Sequence, residues 1–260
     1  ETIKIEHDGQ KKLTIDCFLN AELLAIRSVR AHFRNEINES IAYANEAIAT
    51  LPDGVRYSAT QCVCLFHMGK CHMVIGNHEK ALQSFNYCIE SSKKVGFLTT
   101  IPSANSHKGM TFILQGKLNK ARFTLEHIIK EIEKGDVVSF PTYCFAYLGL
   151  AIIAIEKNEL DIALNHLVEC IRLNNLLGNE EINCIAHFQL SRIYLLKRQF
   201  NNYEISSSKL YDIGLQSQQE RVKGLAQIYI AMLEIGTGQH VLLDEIIKSL
   251  KNFKLSNEAL

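Results

Sequence analysis

A face of apolar and small residues recurs six times along the chain. Within each copy the residues stand four and then three positions apart, and this spacing places them on one side of an α-helix. We therefore predict that this side is buried against a neighbouring helix. The six sets are Ser40/Ala44/Ala47, Ala81/Phe85/Cys88, Ala121/Leu125/Ile128, Ala163/Leu167/Cys170, Tyr203/Ser207/Leu210 and Leu243/Ile247/Leu250.

A small residue stands twelve positions before each of these faces. Successive small residues are 41, 40, 42, 40 and 40 positions apart, and a period in this range is typical of helical solenoids. Because a short side chain lets two helix backbones approach closely, we place it in a first helix that packs against the second. The six residues are Ser28, Gly69, Gly109, Ala151, Ser191 and Ala231.

Seven positions after the small residue, each copy carries the residue predicted to end its first helix. Five of the six are Gly or Asn, which tolerate the left-handed backbone of a helix terminus, and Arg198 is the exception. They are Asn35, Gly76, Gly116, Asn158, Arg198 and Gly238.

These positions resemble the tetratricopeptide repeat, most clearly where Gly69 precedes Ala81 and Phe85 and where Ala151 precedes Ala163. The fold class predicted is all-α, a right-handed superhelical solenoid of about six helix pairs. The common repeat has 34 residues, and we expect longer connections around Gly96, Gly135, Gly178 and Gly214 to supply the difference. The predicted segments are an N-terminal extension at 1–14, repeats at 15–54, 55–97, 98–135, 136–178, 179–217 and 218–251, and a C-terminal tail at 252–260.

The charge balance argues against two classes of partner. The 28 basic and 28 acidic residues cancel, so neither a nucleic-acid surface nor a polybasic membrane patch is indicated. No stretch approaches 18 uninterrupted apolar residues. We expect a cytoplasmic protein with no direct nucleic-acid contact and no membrane segment.

Eight cysteines are spread over the predicted helices. We interpret them as reduced, buried thiols in place of small apolar residues. The alternative is a metal site at Cys64, His67 and Cys71, which share one helix face. Structural zinc sites usually come from paired Cys-x-x-Cys knuckles, which this sequence lacks, so we expect no metal.

No catalytic motif is present. Met68-Gly69-Lys70-Cys71 is the nearest fragment to a phosphate-binding loop, but it lies inside a predicted helix and lacks the flanking glycine. There is no Gly-x-Ser-x-Gly elbow and no His-Glu-x-x-His zinc helix. We therefore expect no enzymatic activity, no catalytic residues and no cofactor bound by this chain.

The candidate binding surface is the concave side of the solenoid, which the first helices line. Three interpretations remain open there. In the first, the apolar side chains of the first helices are packed core; in the second, they line a small-molecule pocket in which Lys70 or Arg192 binds an anionic end of the ligand. A partner helix lying in the groove is a third. The candidate site residues are Phe66, Lys70, Met110, Phe145, Leu148, Ile152, Phe188 and Arg192.

A second resemblance rests on the fourth repeat. Leu148-Gly149-Leu150-Ala151, the acidic turn Asn158-Glu159-Leu160-Asp161 and Ala163-Leu164-Asn165-His166-Leu167 are similar to the repeat of MalT-type regulators, large ATP-binding members of the LuxR family. The resemblance implies an ATPase module before the repeats, a helix-turn-helix module after them, and an inducer bound by the repeats. ATP would then be bound by a neighbouring domain of the same protein, and this chain would contain neither of the two modules.

Our hypothesis is that the chain is the sensor domain of a bacterial transcription activator. A bound inducer would favour one curvature of the stack, which would alter contacts with the ATPase module and permit self-association. Because the chain begins at Glu1 without a methionine, we expect a fragment of a larger protein. The alternatives are a scaffold that binds a partner helix or peptide without a small ligand, and a peptide-pheromone receptor, for whose N-terminal helix-turn-helix residues 1–14 are too short.

Overall fold

The computed structural model describes residues 15–51, 58–133 and 141–238. These residues form eleven α-helices and one turn of 3₁₀ helix, and no strand occurs among them. The predicted extension 1–14, the tail 252–260 and the sixth buried face lie outside the described residues. The chain divides into two compact units, residues 1–139 and 140–260.

Each unit is an array of helix pairs. In unit 1 the pairs are α1 with α2, α3 with α4 and α5 with α6; in unit 2 they are α7 with α8 and α9 with α10, followed by α11. The bounds are α1 Ile15–Phe33, α2 Ile37–Thr50, α3 Ala59–Val74, α4 His78–Val95, α5 Thr100–Leu114, α6 Leu118–Glu133, α7 Cys144–Glu156, α8 Leu160–Leu177, α9 Glu180–Leu196, α10 Phe200–Gln216 and α11 Glu220–Thr237, with the 3₁₀ turn at Pro141–Tyr143.

Every described pair is joined by the same three-residue turn. Its middle residue has a positive φ, 75° at Gly76 and 56° at Arg198, and the prediction of left-handed helix ends is confirmed for all six positions, Arg198 included. At the end of α3 the Gly76 amide donates to the Met73 carbonyl and the Asn77 amide to the His72 carbonyl. This pair of bonds, the shorter one enclosed by the longer one, is the Schellman motif. It satisfies carbonyls that the helix end would leave open.

The small-residue column allows close approach within each pair, as predicted. A Cβ built on Gly69 would lie 2.5 Å from the ring of Phe85, and one on Gly109 would lie 2.4 Å from Leu125. In the first pair, serines stand on both helices at the positions of Gly69 and Ala81. Ser28 Oγ donates to the Ser40 carbonyl at 2.8 Å, and Ser40 Oγ donates to the Ser28 carbonyl at 2.9 Å, so both buried hydroxyls are satisfied.

The second helices bury the predicted faces. In the first four repeats all twelve residues of these faces are buried, and Phe85 and Leu167 are fully enclosed. In the fifth, Leu210 is buried but Tyr203 and Ser207 are half-buried. The spacing of four and then three positions therefore identified the buried faces of the first four pairs, and only Leu210 in the fifth.

One prediction about the connections was wrong. The three fully described links are short, four residues after α4, two after α8 and three after α10, and Gly214 lies inside α10. The extra length over a 34-residue repeat lies in the helices instead, with 18 residues in both α4 and α8. A glycine inside α10 has a packing reason, because a Cβ there would come within 3.0 Å of Ala226. Gly135 lies outside the described residues.

Candidate functional site

The first helices of each unit lie side by side. In unit 1, α3 contacts both α1 and α5, and in unit 2, α9 contacts both α7 and α11. The residue that follows the small residue stays accessible on every one of these helices. This row consists of Val29, Lys70, Met110, Ile152, Arg192 and Met232.

In unit 1, Lys70 lies over two aromatic rings. Its Nζ is 5.5 Å from the centroid of the Phe33 ring and 5.8 Å from that of Phe66. Phe33 is 67% exposed and Phe66 is half-buried. Such cation–π contacts hold the ammonium group against an apolar surface that solvent can still reach.

Beside Lys70, buried histidines continue this surface into the interior. The His67 ring lies 5.2 Å from that of His32, and the His107 ring 5.1 Å from that of Phe66. Burial first, and the charge of Lys70 second, lower the pKa of His67 to about 2 and that of His107 to about 3. Both imidazoles are therefore neutral near pH 7.

In unit 2, Arg192 lies on a stacked aromatic pair. The rings of Phe188 and Tyr229 are parallel within 4°, with centroids 4.0 Å apart, and Arg192 Cζ is 5.7 Å from the Phe188 centroid. Arg192 Nη1 donates to Gln189 Oε1 at 2.9 Å. Within the described residues no carboxylate forms an ion pair with this guanidinium.

The eight candidate site residues differ in accessibility. Leu148 and Phe188 are buried, at 1% and 3% exposure, and belong to the core of unit 2. The other six are half-buried: Phe66, Lys70, Met110, Phe145, Ile152 and Arg192. The structure brings Phe66 and Lys70 together in unit 1 and Phe188 and Arg192 together in unit 2.

Four aromatic or imidazole side chains near the two cations were missing from the predicted site: Phe33, His67, His107 and Tyr229. The repeat carries a signal for three of them. Tyr229 follows Phe188 by 41 residues and His107 follows His67 by 40, so each pair occupies nearly the same place on successive first helices. Treating the repeats as a stack, rather than reading single rows, would have brought these residues into the site.

The cysteines are buried, as predicted, except Cys17, which is half-buried. Burial raises the pKa of the Cys64 and Cys88 thiols to about 12. The Cys71 thiol donates to Ser40 Oγ at 3.3 Å, and its Sγ lies 3.5 Å from His32 Nδ1. These thiols are protonated near neutral pH and fill the space between helices.

The stacked pairs, their identical turns and the small-residue column define a helical repeat protein of the tetratricopeptide class. The chain belongs to the MalT-like TPR region family, whose profile matches residues 21–199, or 179 of the 260 residues. Comparison with curated proteins finds no match. None of the helices in the part of the chain that the structure describes is long and apolar enough to cross a bilayer.

Solved structures share this fold at low sequence identity. The apo form of the quorum sensor NprR from B. thuringiensis matches with a TM-score of 0.66 and 11% identity, over 84% of this chain and 60% of that one. The Rap conjugation gene regulator of plasmid pLS20, in complex with the Phr* peptide, matches with a TM-score of 0.72 and 14% identity, over 93% and 65%. A Rap protein complexed with competence and sporulation factor matches with a TM-score of 0.60 and 16% identity, over 92% and 67%. The chain thus spans less than two thirds of the first two proteins.

Proposed function

We propose that this chain is the ligand-recognition region of a regulatory protein and that it has no catalytic role. Arg192 would hold an acidic group of the ligand, while the neighbouring first-helix side chains contact its apolar part. The observation that carries the proposal is the half-buried guanidinium on the Phe188–Tyr229 stack, without an ion-pair partner in the described residues.

The chemistry of Arg192 favours a carboxylate or a similar planar anion. A guanidinium presents a rigid fork of donors that matches such groups in a bidentate manner, and aromatic stacking fixes its plane. One donor, Nη1, is already directed to Gln189, which restrains the side chain before a ligand arrives. The remaining N–H groups can then bind an anion at a lower entropic cost.

Membership of the MalT-like family supports the finer form of the proposal. In that form the ligand is a small inducer, and the chain relays its binding to an ATP-binding module and a helix-turn-helix module in a cytoplasmic LuxR-family activator. The ligand would act by binding one arrangement of the helix pairs more tightly than another, because only differential affinity shifts such an equilibrium. Self-association would be one outcome of the shift.

A peptide is the second candidate ligand. Two of the similar structures are complexes with the Phr* peptide and with competence and sporulation factor. A peptide with a free C-terminal carboxylate would also satisfy Arg192, and its side chains would contact the accessible first-helix residues of unit 2, Ile152 and Met232. The two candidates share the anionic group and differ in size.

The test is a thermal-shift and calorimetric screen with two arms. One arm is a panel of small mono- and dicarboxylate metabolites, and the other is a set of short peptides, each made with a free and an amidated C-terminus. We expect a ligand from one arm to raise the melting temperature. Arg192→Gln should weaken its binding roughly tenfold or more, and Arg192→Lys should weaken it less.

The control is Arg172→Gln. Arg172 is also an arginine of unit 2, but it is exposed and paired with Glu169, so its loss should leave binding unchanged. If no compound of either arm binds, or if the bound one is insensitive to Arg192→Gln, the proposal is wrong.

A further inference from the structure

Unit 1 also carries a groove between two of its second helices, and none of the residues around Lys70 lines it. A groove of about 450 Å³ runs between α4 and α6 and is floored by α5. Ile89 and Ile128 contribute apolar wall, and Phe123, at 73% exposure, stands at its side. The polar side chains that line it include Lys93, Lys108, Asn105 and Asn86.

Lys108 is unusual for its place in the repeat. It stands immediately before the small residue Gly109. In the first repeat the same place holds the exposed Arg27, and in the other four it holds Met68, Leu150, Leu190 and Ile230. Those four side chains are buried or half-buried. A lysine has therefore replaced an apolar packing residue and presents its ammonium group to the groove.

No described residue of unit 1 forms an ion pair with the two lysines of the groove. Neither Lys93 nor Lys108 forms an ion pair among the described residues, and the one acidic lining residue, Glu90, is bound by Lys94 at 2.8 Å. Burial, followed by the charge of Lys93, lowers the pKa of Lys108. Placing two uncompensated cations together costs stability unless an anion joins them.

The donors and the ring indicate which anion fits. The amides of Asn86 and Asn105 make no hydrogen bond within the described residues and line the same groove. Two ammonium groups are matched by a dianion, and a phosphate monoester carries about −1.5 to −2 charges at pH 7. The exposed Phe123 ring offers a face on which a planar group can stack.

We propose that the α4–α6 groove is a second binding site, for a small phosphate monoester that carries a planar ring. The phosphate lies between Lys93 and Lys108, the asparagine amides donate to its oxygens, and the ring packs against Phe123. Because this site lies in unit 1 and uses no residue of the Arg192 surface, it stands or falls separately from the function proposed above.

The test uses three probes in phosphate-free buffer, with binding followed by calorimetry and by amide chemical shifts of the whole chain. Phenyl phosphate carries both the dianion and the ring, inorganic phosphate carries only the dianion, and benzoate carries a ring with a single charge. We expect phenyl phosphate to bind most tightly and benzoate most weakly. Lys108→Met should weaken phenyl phosphate roughly tenfold or more.

The variants separate a lost contact from a lost fold. Lys108→Met introduces the residue that the second repeat already has at Met68, so the melting temperature should be kept or raised; Lys93→Met, on the exposed side, is the second charge variant. Phe123→Ala should make phenyl phosphate bind no more tightly than inorganic phosphate. The control is Lys117→Met, in the exposed turn before α6, which should leave both affinities unchanged. Absence of phenyl phosphate binding, affinity unchanged by both lysine variants, or benzoate binding as tightly would overturn the proposal.

Discussion

Buried histidines make the stability of unit 1 dependent on pH. His67 and His107 have folded-state pKa values of about 2 and about 3, against 6.5 for an unperturbed histidine. At a pH between the folded-state values and 6.5, the unfolded chain binds more protons than the folded one. The free energy of unfolding is therefore unaffected by these histidines above pH 6.5, and it decreases as the pH falls from 6.5 towards 3.

The size of the loss follows from the unfolded-state titration. Protonation of an unfolded histidine with a pKa of 6.5 favours unfolding by about 0.1 kcal/mol at pH 7.5 and about 1.4 kcal/mol at pH 5.5. Each buried histidine thus removes between about 1 and 2 kcal/mol over this interval, and the two together about 3 kcal/mol. The value hardly depends on the folded-state pKa as long as this stays below about 4.5.

Urea unfolding at pH 7.5 and 5.5, followed by circular dichroism, measures the effect. His67→Gln and His107→Gln each change the packing, but that change is common to both pH values and cancels in the difference. Each variant should therefore lose between about 1 and 2 kcal/mol less than the parent protein on acidification, and the double variant about 3 kcal/mol less. His187 of unit 2, with a pKa of about 4, provides an independent repeat of the test. An unchanged pH dependence in the double variant would refute the reasoning.

Two further predictions concern backbone positions. Arg198 adopts a φ of 56°, so Arg198→Gly should raise the free energy of unfolding by about 0.5–1 kcal/mol, whereas Arg198→Ala should not; an equal gain from both variants would contradict the strain argument. Gly109→Ala would place a Cβ 2.4 Å from Leu125, and chemical denaturation should show a loss of about 1–2 kcal/mol. The matched change Gly224→Ala, in a helix with open space around it, should instead raise stability by up to about 1 kcal/mol.

The pair architecture was predictable because its determinants are local. A glycine or asparagine at a fixed distance from a small residue marks the end of each first helix, and the steric rule behind it concerns a single residue's φ. Arg198 shows how strong the repeat signal is, since it takes the left-handed conformation without the residue type that favours it. The loop lengths were predicted wrongly because extending a helix and extending a loop change the period equally, and the period alone cannot distinguish them.

The candidate site was predictable only in outline. Counting along one helix placed Lys70 and Arg192 on an accessible row. It did not separate Phe66, which remains half-buried, from Phe188, which is enclosed by its stacking on Tyr229, although both stand three positions before the small residue of their repeat. The difference depends on which side chain the next first helix brings to that place.

The amino-acid sequence by itself determined the period, the helix pairs, their turns and the faces that they bury, because each follows from sterics and helical spacing within about 40 residues. Only the tertiary structure decided that Phe33 and Phe66 lie beneath Lys70, and that Lys108 opens into a groove shared with Lys93. These groups come from different helices, and the way in which those helices pack sets the distances between them. Local periodicity carries no information about that packing, which is why chemistry shared between helices appears only once the pairs are stacked.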